Sequence, residues 1–297
     1  MFKDIFGVER MKVGLHIHTT RSDGRRTPDE VAALYRAAGY DAIAMTDHWA
    51  WHCSGELGGL KLISGAEYDI GCADPCGVCG DSCGGVYHIV ALGCTEEPAV
   101  THEMTAAEIA DAIHRCGGLA VLAHPAWSLN DPAVVADQTF FDATEIYNTV
   151  SGVHSSFRPE SGAFCDLLAC RGVTFPLLAT DDAHYYDGTD NTRSFICAHA
   201  PDGDIAAAIR RQDFYASQGP QIYLQRDGSH FYVDCTPAET IIFITNTVWA
   251  RGRVTRGHGL THAEYTVSSG DGRSDRFVRA EVIDADGNRA WSNYITV

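Results

Sequence analysis

Six apolar runs in this chain carry a histidine, aspartate or glutamate at or near the point where a buried strand should simply continue. They are "VGLHIH" with Asp23 close behind, "AIAMTDH", "LISGAE", "VYHIVALG", "AVLAH" and "FPLLATDDAH". Successive strand residues point to opposite faces, so positions i and i+2 share one. His16 and His18 therefore point together, and so do Asp182 and His184. Two imidazoles side by side destabilise a strand unless something uses both lone pairs, and a divalent cation does so. Singly, each run is equally well explained by a core histidine, a helix cap or a solvated strand. Six together point to one shared polynuclear metal site, because barrel-like α/β folds gather catalytic groups at the C-terminal ends of their strands.

The runs alternate with helical patterns up to residue 214. "TPDEVAALYRAAG" opens a helix with Thr27 as N-cap, Pro28 in the first turn, Glu30 completing a capping box and Gly39 ending it. "TAAEIADAIHRCGG" and "SGAFCDLLACRG" are further helices that end on glycine. This alternation predicts a mainly parallel, barrel-like α/β sheet over 1–214. After "FYASQGP" the texture changes to short alternating strands with turns at Asp227-Gly228 and Asp286-Gly287, which predicts a small antiparallel β-sandwich over 215–297. Its histidines, His230, His258 and His262, are scattered and carry no concentrated chemistry.

The formal charge of −17 over 297 residues argues against a broad nucleic-acid footprint and against binding to an anionic membrane surface. No run approaches the roughly 18 apolar residues of a membrane span, and "MFKDIFGVER" has no apolar core of a secretion signal. The expected location is cytoplasmic, with most of the eleven cysteines as free thiols.

In order along the chain, "HIHTTRSDG", "TDHW", "GAE", the isolated His88, "AHP" and "DAH" resemble the PHP (polymerase and histidinol phosphatase) family over roughly the first 214 residues. The tail, through "FYASQGP" and "RAWSNYI", resembles the β-domain that follows PHP domains in some bacterial proteins. The resemblance implies a distorted (β/α)7 TIM-like barrel of the PHP type, two or three divalent ions (Mn, Fe or Zn) and hydrolysis of phosphoesters. Carried over by position, the first ion takes His16, His18, Glu67 and Asp182. The second shares Glu67 and adds His88 and His124; the third takes Asp23, His48 and His184. Asp182 is preferred to its neighbour Asp181 because it stands two residues before His184. Asp47 is expected to hold one of the imidazoles in its metal-binding tautomer.

Such a centre lowers the pKa of a bridging water, and the expected reaction is attack of that hydroxide on phosphorus, with Asp182, His184 and Arg158 as catalytic residues. Arg158 leads as the phosphate anchor and Arg193 follows; Arg21 and Arg25 lie in the loop after His18. Asn148 and His154 are expected at the substrate, Glu145 at a strand end beside it, and Trp49 and Trp51 as pocket walls. Cys72, Cys76, Cys79 and Cys83, spaced C-x3-C-x2-C-x3-C, would close around zinc or an iron–sulfur cluster, or else remain free thiols. The leading expectation is a hydrolase for a small phosphorylated metabolite. A nuclease or phosphodiesterase acting on nucleotides or nucleic-acid ends is the second, and a non-catalytic regulatory or binding protein the third.

Overall fold

A computed structural model describes residues 1–71, 86–154, 156–267, 269–270 and 273–297. The four clustered cysteines, Cys72 to Cys83, lie outside the described residues. The other seven cysteines are free thiols.

The helices form where local chemistry specifies them. Thr27 caps the helix Pro28–Ala37 and Glu30 returns the bond, and Thr105 and Glu108 do the same for Ala106–Arg115. Each capping box satisfies two backbone donors that a helix start leaves open. The buried faces, Val31, Ala32 and Tyr35 on the first and Ile109, Ala110 and Ile113 on the second, pack against the sheets.

The strands fall mainly into two sheets. A five-stranded sheet runs in the order Leu177–Thr180, Ala143–Asn148, Leu119–Leu122, Tyr87–Leu92, Gly65–Ile70. A thirteen-stranded sheet has Glu9–Gly14 at its centre, flanked by Ala42–Ala44 and by Phe195–Ala198. The sheet pairing is more mixed than the strand–helix alternation predicts. Tyr87–Leu92 runs antiparallel to both of its neighbours, and Phe195–Ala198 runs antiparallel to Glu9–Gly14. Periodicity sets which face of a strand is buried but carries no information on direction.

No continuous ladder closes these sheets into the expected barrel. Isolated bridges link their edges instead, Ile17 with Ala183, His48 with Glu67 and His52 with Gly65. The first two lie where chains leave regular pairing to turn His16, His18, His48, Glu67 and Asp182 into a common space.

The tail strands Ile222–Asp227, His230–Ile244, Val254–Thr266 and Phe277–Ile283 pair antiparallel. Through Arg289–Trp291, which pairs with Phe214–Ser217, they continue the thirteen-stranded sheet. A bidentate ion pair, Arg279 Nε and Nη2 donating to Asp166 at 2.7 and 2.8 Å, ties the tail to the helix Gly162–Cys170. Among the described residues no helix is long and apolar enough to cross a membrane.

Candidate metal centre

The segment after Glu9–Gly14 alternates as its sequence predicts. Leu15 and Ile17 are buried in the core, and His16 and His18 are wholly buried on the opposite face. Two backbone bonds lock this segment beside the "DAH" loop: Asp182 N donates to His16 O at 2.8 Å and His18 N to Ala183 O at 3.0 Å. The result is convergence. Asp182 Oδ1 lies 3.2 Å from His16 Nε2 and 3.1 Å from His18 Nε2, and Glu67 Oε2 lies at the same two distances from the same nitrogens. Yet His16 Nε2, His18 Nε2 and Asp182 Oδ1 make no hydrogen bond. Buried polar atoms are almost always paired, so three orphans aimed at one point fit a cation.

Glu67 is the hub. Its Oε1 lies 2.8 Å from His88 Nδ1 and 3.5 Å from His124 Nε2. A second cluster, nearer solvent, joins His18, Asp23, His48 and His184. The loop that carries Asp23 folds tightly over His18, and a Cβ at Gly24 would stand 2.5 Å from the His18 carbonyl. Only glycine fits there. Within each of three groups, His16–His18–Glu67–Asp182, His18–Asp23–His48–His184 and His48–Glu67–His88, the ligand atoms lie within 4.8 Å of one another. These groups take in eight of the nine expected ligands, and the ninth, His124, lies 3.5 Å from Glu67 Oε1 and 3.7 Å from Asp182 Oδ2. His124 and Asp182 have backbone in the left-handed region, with φ of 27° and 54°, a conformation uncommon outside glycine although His and Asp adopt it more readily than most.

The far nitrogens of the imidazoles are held. His16 Nδ1 donates to Glu145 Oε1 at 2.7 Å, His48 Nδ1 to Asp69 Oδ1 at 2.9 Å and His184 Nδ1 to the Asp182 carbonyl at 2.6 Å. In the neutral ring each contact would leave Nε2 as the lone pair, the tautomer a metal needs. Asp47 does not do this work. It accepts from His52 Nε2 at 2.6 Å and from Thr19 and Ser22, so it braces the loop leading to Asp23. Glu145 and Asp69 hold the ligand imidazoles instead. Asp69 carries no sequence signal beyond standing two residues after Glu67 on the same strand face.

Charges within the centre reinforce one another. Burial favours neutral forms, but the neighbouring Asp182, Glu67 and Glu145 outweigh it and hold the His16 pKa well above the ordinary imidazole range. His18 follows for the same reasons, through Asp182, Asp23 and Glu67. Burial likewise resists ionisation of Glu67 and Asp182, yet the imidazoles around them hold both carboxyls well below the usual range. The centre is a set of carboxylate oxygens and imidazole nitrogens, a donor set suited to divalent metals.

The expected substrate residues divide. A cavity of about 230 Å³ opens on His88, His124, Asp182 and His184, walled by Trp127, Ser151 and Tyr185. It adjoins one of about 520 Å³ that shares His88 and Trp127 and is lined by Arg158. Arg158 is exposed and makes no side-chain hydrogen bond or ion pair to a described residue. His154 lines neither cavity; its ring stands 4.0 Å from that of Tyr185, and its Nε2 lies 3.2 Å from Asp187. Arg193 lines neither cavity; its backbone amide serves Asp181. Asn148 is buried and donates to Glu145 and to Asp182, so it braces ligands rather than meeting substrate. Arg21 reaches His52, and Arg25 lies over Tyr185. Trp49 stacks on His102 and donates to Asp69, and Trp51 packs against the core; the pocket wall is Trp127.

No family model matches the sequence, and no curated protein is significantly similar to it. Among solved structures, a two-domain protein from Bacteroides vulgatus containing a predicted PHP-like metal-dependent phosphoesterase shares the fold. The two are 16% identical with a TM-score of 0.51, and the match covers 100% of this chain and 97% of that one. An amidohydrolase from Chromobacterium violaceum, with bound sulfate and no metal, is 18% identical over 60% of this chain and 89% of its own, with a TM-score of 0.43. The chain thus shares its mixed α/β fold with that two-domain protein, without the closed barrel expected from the motifs.

Proposed function

We propose that the protein is a metal-dependent phosphoesterase acting on a small phosphorylated substrate. In this reading residues 1–214 form a distorted barrel-like catalytic unit, and 215–297 an accessory β-domain. The observation that carries the reading is the convergence of His16 Nε2, His18 Nε2 and Asp182 Oδ1 without a hydrogen bond among them. Leaving such groups buried and unpaired costs about 1–3 kcal/mol each, and a cation among them removes that penalty.

His16, His18, Glu67 and Asp182 would hold one ion, with Glu67 shared toward His88 and His124. Asp23, His48 and His184 would hold another. Manganese, iron or zinc, when bound, supplies Lewis acidity and makes water acidic enough to ionise near neutral pH. The remaining work falls to the chain. Glu145, Asp69 and the Asp182 carbonyl keep the imidazoles oriented. Trp127 walls the reacting space from one side. Arg158, at the adjoining cavity, offers its guanidinium to a phosphoryl or other anionic group of the substrate.

The test is the protein reconstituted with Mn²⁺ and assayed on phosphomonoesters, cyclic phosphates and oligonucleotides. Turnover of small phosphoesters is expected, falling to background with lowered metal content in His16→Ala and Asp182→Ala. Activity confined to oligonucleotides would favour a nuclease, and full activity in either variant would refute the proposal.

A further inference from the structure

Directly beside the ligand Asp182, the chain buries a second carboxylate that no ligand cluster includes. Asp181 is 1% exposed. It accepts from three consecutive backbone amides, Thr192, Arg193 and Ser194, at 2.7, 2.9 and 2.8 Å. Oδ2 also accepts from the hydroxyl of wholly buried Tyr35 at 2.7 Å, and Oδ1 from Thr149 Oγ1 at 3.4 Å. Thr149 Oγ1 is itself 2.7 Å from Ser194 Oγ, which closes the network. The backbone on either side is pinned as well: Val150 N donates to Asp181 O at 3.0 Å and Asp182 N to His16 O at 2.8 Å.

Both anchors sit on the single peptide unit joining Asp181 to Asp182, and the torsion that follows it, Asp182 at φ 54°, lies in the left-handed region. Aspartate tolerates that region better than most non-glycine residues, but it is still uncommon there, and here contacts on both sides hold it. The Asp181 carboxylate is the only side chain of the "TDDAH" stretch that binds the 192–194 loop, the helix Pro28–Ala37 and the 149–150 turn together. We infer that Asp181 is a positioning residue whose carboxylate, clasped by the Thr192–Ser194 amides and Tyr35, fixes the left-handed turn that aims Asp182 Oδ1 at His16 and His18. The inference rests on the proposed function only for what that aim serves. An asparagine at this position would turn an amide donor toward either the Thr192 N–H or the Arg193 and Ser194 N–H pair, so part of the clasp opens while the side-chain shape is kept.

Asp181→Asn and Tyr35→Phe test it, each as the full chain, by two readouts. In metal-free crystal structures, Asp182 is expected to leave the left-handed region in Asp181→Asn and to shift in the same sense in Tyr35→Phe. In calorimetric titration with Mn²⁺, affinity should fall about ten-fold or more in Asp181→Asn and about two- to five-fold in Tyr35→Phe, with circular dichroism unchanged. If Asp181→Asn fails to fold, Tyr35→Phe decides alone. Unmoved Asp182 geometry, or wild-type Mn²⁺ affinity with only a lower Tm, would overturn the inference. A wild-type chain that takes up no Mn²⁺ would instead count against the proposed function, and the metal-free structures would still decide this point.

Discussion

His16 Nδ1 lies 2.7 Å from Oε1 of Glu145, a carboxylate 129 residues further along the chain. That contact turns Nε2 of the same ring toward Glu67 and Asp182. Replacing Glu145 with glutamine keeps the shape but removes the charge that steadies the ring. The expected result is a roughly 10–100-fold loss of Mn²⁺ affinity with little change in fold, measured by calorimetric titration of metal-free protein.

Metal-induced stabilisation should grow with pH. His16 and His18 have folded pKa values raised above the free imidazole, so their contribution is complete below about 6.5 and is lost as pH rises through the folded values. Glu67 and Asp182 are depressed, so theirs is present above about 4 and lost as pH falls through the folded values. Raising the pH therefore strips imidazolium protons while the carboxylates stay charged, and an added cation replaces those protons. Differential scanning fluorimetry should show a larger Tm gain with Mn²⁺ at about pH 8.5 than at about pH 6. An equal gain at both would contradict the protonation pattern.

Trp127 should report on the centre. Its ring meets those of His88 and His124 edge-on, at 5.6 and 5.0 Å between centroids, and its Nε1 donates to Ser156 Oγ at 3.1 Å. Metal uptake would place a cation beside both imidazoles. Tryptophan emission is expected to change on titration with Zn²⁺, and Trp127→Phe should abolish most of that change although four other tryptophans remain among the five.

The tail's attachment is testable through Arg279, whose side chain is 3% exposed and forks onto Asp166. Arg279→Met leaves Asp166 without its cation, while Glu281 keeps Arg289 at 2.5 Å. The cost should be about 3 kcal/mol, tempered because Asp166 is partly exposed. Urea unfolding measures this directly. A loss below about 1 kcal/mol would mean the pair is dispensable.

The residues themselves determined a good deal. Period-two alternation placed His16 and His18 on one face, the two-residue spacing picked Asp182 with His184, and threonine–glutamate capping marked where the helix Pro28–Ala37 begins. These are local rules, in which the cause and its effect lie within a few positions. What holds the ligands was decided only by the tertiary structure. Asp47 stands next to His48 yet bonds His52, while distant Glu145 takes His16, and Asp181 and Asp182 part company at one backbone torsion. Strand direction belongs to the same class, as the antiparallel Tyr87–Leu92 shows. A hydrogen bond depends on distance and angle in space, and spacing along a chain carries neither once the partners sit on different strands.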